Sequence, residues 1–349
     1  MIEVKNLVKK YGSHIAVDHL SFTVEKGEIL GFLGPNGAGK STTMNMMTGY
    51  ISATEGTVEI NGYDVYDDPV EAKKSIGYLP EMPPVYPEMT VEEYLNFVMN
   101  LKKVPKKARE KMLADIMYKT QITDMADRLI KHLSKGYRQR VGLAQAIVGY
   151  PEVIILDEPT VGLDPEQIIE VRSLIKKLAE EHTVLISSHI LSEIKEICDK
   201  VLIINHGKKV VMDKIENLPK HLANASTLTL EVKGSKSDVT GAVRSVDAVT
   251  KADVTEGTEK DTVIVEISTD NSRDIRSDLF YTLAKANLPI LKEEPTSLED
   301  IFIAMTKPDA VIINDDAASP AADGKTDIKA DRTSKSRTDD NKKKKLNNK

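Results

Sequence analysis

One cysteine, Cys198, is present among 349 residues. That excludes an intramolecular disulfide framework and fits a reducing compartment. No apolar run approaches the roughly 20 residues that cross a bilayer as a helix. The opening stretch, MIEVKNLVKKYG, lacks the apolar region of a secretory signal. The sequence thus reads as a soluble chain, reaching any membrane only through a partner. A basic excess is missing too: 48 Lys+Arg face 54 Asp+Glu, a formal net charge of -6. Nucleic-acid binders usually show a basic field or patch, so no nucleic-acid partner is expected. What the chain does have is 40% apolar residues, ample for a core, and a length that points to two domains.

Residues 1–220 alternate short apolar runs with longer helical patterns, the signature of an α/β fold. Ile29-Leu30-Gly31-Phe32-Leu33 is one such run, ending in glycines. Thr57-Val58-Glu59-Ile60 followed by Asn61-Gly62 reads as a strand entering a tight hairpin turn. Thr90, with Glu93 three residues on, is a capping box that opens a mostly helical stretch to about Leu133. This stretch interrupts the alternation and marks an inserted helical subdomain over about 90–150. Strands resume at 153–156, 184–186 and 201–204, apolar enough to be buried on both faces of a parallel sheet. Composition shifts near Leu218-Pro219. Residues 221–307 then read as a small, separate α/β domain: strand, helix, two strands, helix, strand, helix. Thr296 and Glu299 cap its last helix, 298–306. Residues 308–349 have too few large apolar side chains to fold and are expected to be a disordered tail. The tail ends in Lys342 to Lys345, a solvated run with at most a weak pull on anionic lipid.

Gly34-Pro35-Asn36-Gly37-Ala38-Gly39-Lys40-Ser41 has the full P-loop spacing, between an apolar strand and a helical pattern that begins at Thr42. Glycines let backbone N–H groups wrap a phosphate, and the following helix adds its positive end. Lys40 supplies a cation for the β- and γ-phosphates, and the Ser41 hydroxyl can reach magnesium. A chance glycine turn is the bland alternative, and both spacing and context argue against it. Further on, the apolar strand 153–156 runs straight into Asp157 and Glu158. Buried strands rarely end in adjacent acids without a cation nearby. Asp157 would hold Mg2+, and Glu158 would polarise the attacking water as general base.

With these residues the chain resembles the ATP-binding-cassette (ABC) ATPases. Leu133-Ser134-Lys135-Gly136-Tyr137-Arg138-Gln139-Arg140 is similar to the family signature. Gly162-Leu163-Asp164-Pro165 matches its D-loop, Ser188-His189 its switch histidine, and Tyr11 takes the place of the aromatic that stacks on adenine. An ordinary strand-end tyrosine is the alternative for Tyr11. The resemblance implies a P-loop NTPase core with an antiparallel β subdomain, an inserted helical subdomain and a small ferredoxin-like C-terminal domain. It also implies an ATP-sandwich homodimer. In that dimer Ser134, Lys135 and Gly136 of one copy cap the γ-phosphate held by the other, His189 contacts that phosphate, and Asp164 communicates between the sites.

Two positions depart from the family pattern. Lys135 stands where glycine is usual, while Gly136, which must approach phosphate closely, is kept. Glu81 replaces a glutamine that senses magnesium and lies near the transmembrane partner; a plain surface glutamate is the alternative reading. The segment from Glu81 to Leu95, together with Ser297-Leu298-Glu299-Asp300-Ile301-Phe302, resembles the ATPases of type-two ABC exporters. Separate membrane-spanning permease subunits, a peripheral place on the cytoplasmic face of the membrane, and ATP and Mg2+ as ligands are therefore expected. The alternatives are a soluble ABC ATPase acting on ribosomes or nucleic acid, and a non-catalytic cassette. Other residues read as structural: Met44, Met46 and Met47 as packing, Cys198 as helix packing, His206 as a turn residue, and His132 and His182 as exposed loop or helix-end positions.

Overall fold

The computed structural model describes residues 1–221, 227–257, 259–269, 274–295 and 298–306. The first part of the chain runs β1 (Ile2–Tyr11), β2 (His14–Val24), β3 (Ile29–Leu33), α1 (Lys40–Met47), β4 (Glu55–Ile60), β5 (Tyr63–Asp64), α2 (Pro69–Lys74) and β6 (Ile76–Leu79). Three helices follow, α3 (Val91–Leu101), α4 (Lys106–Lys119) and α5 (Lys135–Ile147). Next come β7 (Val153–Leu156), α6 (Pro165–Ala179), β8 (Thr183–Ser188), α7 (Leu191–Lys195), β9 (Lys200–Asn205) and β10 (Lys208–Lys214).

Two sheets organise these elements. One is antiparallel, in the order β2-β1-β4-β5, with β4 and β5 joined through the Asn61-Gly62 turn. The other has the order β10-β9-β3-β8-β7-β6, parallel from β9 to β6, with β10 antiparallel at the edge. Its central strands are buried on both faces, so their side chains feed two cores alternately. Val153 and Ile155 join Phe22, Phe32 and the buried Met44, Met46 and Met47 on the side of the antiparallel sheet. Ile154 and Leu156 face the core shared with α3, α5 and α6.

The helices start where their sequence says they should. Thr90 accepts from Glu93 N while the Glu93 carboxylate accepts from Thr90 N, the capping box that opens α3. The stretch to Leu133 is mostly helical. After α4 it breaks into two single 3-10 turns, Thr123–Met125 and Ile130–His132. His182 is not exposed. It lies in the turn before β8, buried against the segment before β7, with Nδ1 2.6 Å from Pro151 O. Burial holds its pKa below the ordinary imidazole value. Cys198 packs in the core just beyond α7 rather than within a helix.

The C-terminal part runs β11 (Thr227–Lys233), α8 (Lys236–Arg244), β12 (Val249–Glu256), β13 (Thr262–Thr269), α9 (Arg276–Lys285), β14 (Ile290–Pro295) and α10 (Leu298–Thr306). Its sheet is antiparallel in the order β12-β13-β11-β14, the ferredoxin-like arrangement of a strand–helix–strand unit repeated. Leu230, Val232, Val265 and Ile267 share one core with Val239 and Val243 of α8 and Leu279 and Leu283 of α9. The last helix does not join that core. α10 packs against α7, Ile301 and Met305 are buried in the larger core of the first part, and Asn205 Nδ2 donates to Thr306 O at 2.8 Å. Thr296 and the tail 308–349 lie outside the described residues.

Candidate functional site

β3, β7 and β8 are neighbours in the parallel sheet, and the residues that follow their C-terminal ends meet. This is where open α/β sheets place ligands. The turn after β3 wraps residues 34–39 and enters α1 at Lys40. Gly39 holds φ 105 at that entry, and a Cβ there would stand 2.6 Å from Ala16 O. Both the left-handed backbone and the close approach to β2 require glycine. Lys40 Nζ donates to Gly34 O at 2.7 Å and to Pro35 O at 3.4 Å. It also stands 3.4 Å from Glu158 Oε1, with both side chains more than nine-tenths buried.

Glu158 follows β7 with φ 49. A non-glycine residue held left-handed is strained by about 1–3 kcal/mol, and such strain concentrates where a side chain must be aimed. Its second oxygen, Oε2, lies 2.8 Å from Nδ1 of His189, which follows β8. The carboxylate is thus held between Lys40 and the imidazole, its water shell largely stripped away. Asp157 is buried behind it. Ser187 donates to Asp157 Oδ1 at 2.6 Å and accepts from Glu158 N at 2.8 Å, so one hydroxyl of β8 aligns both acids. The Tyr78 phenol in β6 is pushed up by burial and then by the charge of Asp157.

A cleft of about 510 Å³ opens over this group. Of the residues expected from sequence, Asn36, Gly37, Gly39, Lys40, Ser41 and Thr42 line it from the loop and α1. Tyr11, Glu81, Glu158 and His189 complete the wall. Tyr11 is about half exposed at the end of β1, with Lys9 Nζ 5.1 Å from its ring centroid. Gly34, Pro35 and Ala38 belong to the loop without lining the cleft, and Asp157 stands behind it. Sequence reasoning missed His14, Ala16 and Val161, which also line it, and Ser187. Ser187 had a signal, since it directly precedes Ser188-His189. His14 and Ala16 had none, because only the β1–β2 hairpin brings them over the loop.

Ser134, Lys135, Gly136 and Asp164 do not line the cleft. They gather instead at the starts of α5 and α6. Ser134 caps α5 by accepting from Tyr137 N, and Asp164 caps α6 by accepting from Gln167 N. A Cβ at Gly136 would stand 2.7 Å from Gln167 Oε1, and the Lys135 ammonium lies against Gly162. One copy of the chain therefore carries two separate groups: a cleft with acids and a cation, and a pair of helix starts with hydroxyl, amide and ammonium donors.

The sequence profile of the family described as ABC transporter matches residues 17–161. The linearmycin resistance ATP-binding protein LnrL of Bacillus subtilis (strain 168) is 31% identical over 309 residues, covering 88% of this chain and 98% of that one. The bacitracin transport ATP-binding protein BcrA of Bacillus licheniformis is 40% identical over 222 residues, covering 63% and 72%. Among solved structures, the dimeric post-hydrolysis state of the ATP-binding cassette MJ0796 bound to ADP and Pi superposes with a TM-score of 0.56 at 27% identity, covering 61% of this chain and 98% of that one. No helix among the described residues is long and apolar enough to cross a membrane. With the loop Gly34 to Ser41, the paired strand-end acids and His189 gathered at the C-terminal ends of neighbouring strands, and with relatives this similar, the chain belongs to the ABC transporter ATP-binding proteins, the subunits that bind and hydrolyse ATP for a transporter.

Proposed function

We propose that this chain is the motor of an exporter, working as a head-to-tail homodimer beneath separate membrane-spanning permease subunits on the cytoplasmic face of the membrane. The observation that carries the reading is the division of the motif residues between the cleft and the helix starts. Ser134, Lys135 and Gly136 stand outside the cleft of their own copy, so they can meet a bound nucleotide only when a second copy presents its cleft. Two copies related by a two-fold axis satisfy both sites at once.

In this reading Tyr11 stacks on the adenine. Residues 34–39 and the start of α1 cradle the phosphates, with Lys40 as the fixed cation. Glu158 takes the proton of the attacking water, and its contact with His189 keeps the carboxylate aimed into the cleft. Ser134 and the Gly136 amide of the other copy, at the positive end of α5, cap the γ-phosphate. Asp164, at the start of α6, reports the state of one site to the other. Asp157, Ser41 and Glu81 are hard oxygen donors suited to Mg2+. Among the described residues no three His, Cys, Asp or Glu are placed to hold a metal ion by themselves. That fits a metal that takes one or two carboxylates and fills its shell with phosphate oxygens and water. When bound, the ion offsets the negative charge of the triphosphate.

A second cleft, of about 860 Å³, supports docking on a permease. Tyr50, Tyr78, Pro84, Tyr86, Phe97 and Leu101 line it, and Tyr50, Tyr86 and Leu101 are well exposed. Large exposed apolar surface of this kind marks an interaction site. Pro80 and Pro84 line this groove while Glu81 lines the nucleotide cleft, so one short segment borders both. We assign 1–220 to the cassette, with the helical subdomain at about 90–150, and 221–307 to a small additional domain. The relatives' roles in bacitracin transport and linearmycin resistance support export of a small molecule. A role on ribosomes or nucleic acid is not favoured.

The test is purification of tagged Glu158→Gln protein from detergent-solubilised cells with ATP and magnesium. A multi-span membrane protein should co-purify and be lost when Leu101→Glu is added. Recovery of the homodimer alone, or of ribosomal proteins, would overturn the assignment.

A further inference from the structure

Behind the catalytic acid lies a second buried carboxylate that the mechanism above does not use. Glu193 sits on α7, four residues after His189, and is almost fully buried. Its Oε2 accepts two hydroxyl hydrogen bonds, from Thr160 at 2.6 Å and from Ser188 at 3.2 Å. Those two hydroxyls belong to the two catalytic loops. Thr160 is two residues beyond Glu158, and Ser188 immediately precedes His189.

The Ser188 hydroxyl is held from both sides. It donates to Glu193 and accepts from Ile190 N at 3.0 Å, so the backbone on either side of His189 is pinned. Arg172 of α6 approaches the other carboxylate oxygen, with Nη2 3.9 Å from Oε1. It supplies the positive charge that a buried carboxylate needs. One oxygen atom thus braces both loops from behind, at the point where His189 Nδ1 and Glu158 Oε2 stand 2.8 Å apart in front.

We propose that Glu193 is a positioning residue for hydrolysis. By bonding Thr160 and Ser188 through the same oxygen, it fixes the separation of the two loops and hence the contact of His189 with Glu158. It touches no substrate. Its action runs through the aim of the base, so it governs turnover and leaves ATP binding to the loop around Lys40. The proposal rests on the reading of Glu158 as general base and His189 as its partner.

Hydrogen bonds to a charged group are stronger than those between neutral groups. Losing one from a brace that sets catalytic geometry therefore predicts roughly a tenfold or greater fall in kcat. Thr160→Val keeps the shape of the side chain and removes the donor, whereas Thr160→Ser keeps the donor. Glu193→Gln keeps the shape and removes the charge.

The experiment is steady-state ATPase kinetics of the full chain carrying these substitutions, each also placed in a His189→Ala background. Thr160→Val and Glu193→Gln should each lower kcat about tenfold with KM within twofold. Thr160→Ser should retain most of the rate. In the His189→Ala background the same substitutions should change the residual rate by less than twofold, because the contact they support is already gone. An equal loss with and without His189 would mean that Glu193 only supports the fold, and unchanged kcat in Thr160→Val would remove the brace altogether; either result overturns the proposal. Full turnover in Glu158→Gln would instead overturn the underlying reading of the base, an outcome separate from these.

Discussion

Removing the charge of Glu158 should make nucleotide bind more tightly. Glu158 Oε1 stands 3.4 Å from Lys40 Nζ, and both side chains are more than nine-tenths buried. At an effective dielectric of about 20, that separation corresponds to about 5 kcal/mol of attraction, a ceiling on the pair. Phosphate groups entering the cleft must share Lys40 with this carboxylate and sit beside its negative charge. In Glu158→Gln the amide keeps a contact with His189 but no longer competes for Lys40. If ATP or ADP recovers the worth of one charged hydrogen bond, about 1.5–3 kcal/mol, affinity rises roughly tenfold to a hundredfold. The assay is calorimetric titration with ADP, which has no γ-phosphate to bridge two copies, at protein concentrations where sedimentation shows single copies. Lys40→Met should bind weakly, and adding Glu158→Gln to it should give no gain, because the gain runs through Lys40. Equal or weaker ADP binding by Glu158→Gln than by the unaltered chain would refute the reasoning.

Other outcomes can be stated more briefly. Ser187→Ala removes the hydroxyl that aligns Asp157 and Glu158 N; it should cost about 1–3 kcal/mol of stability, read by chemical denaturation, and lower kcat more than ADP affinity. The chain contains no tryptophan, so Tyr11→Trp creates a single, selectively excitable indole at the rim of the cleft. Its emission should change on adding ADP and not in a Tyr11→Trp, Lys40→Ala double variant. Burial pushes the Cys198 thiol well above its ordinary pKa, so the native protein should resist a thiol reagent at pH 8. Labelling should then follow unfolding measured independently by circular dichroism.

The motif residues were legible because each motif is contiguous and its chemistry is local. Gly34 to Ser41 needs only a strand before it and a helix after it, and Asp157 with Glu158 needs only to end a buried strand. The alternation of strands and helices in the C-terminal part was legible too, whereas its ferredoxin-like order came only with the family resemblance. What escaped depends on contacts between distant segments. His182 looked exposed because nothing in its neighbours announces that Pro151 O closes over it. His14 and Ala16 reach the cleft only because a hairpin folds over the loop. The brace at Glu193 requires the ends of β7 and β8 to lie side by side, which is a fact of sheet order and not of spacing. The stretch to Leu133 was legible as mostly helical, but not that its last part is held by single 3-10 turns that press Ile130 into the core.

The return of α10 changes what kind of attachment the C-terminal sheet is. After β10 a 3-10 segment, Ile215–His221, still buries Ile215 and Leu218 in the cassette core; the polypeptide then leaves it and comes back to lay Ile301 and Met305 into the same core beside α7. The intervening sheet is therefore a handle fixed at two points, not a flag on a single pole. A load applied to it divides between the 3-10 segment after β10 and α7, two residues past His189. Severing the chain within the handle would leave α10 as a separate peptide still seated on the cassette, whereas cutting it away completely would strip apolar cover from the very helix that carries Glu193.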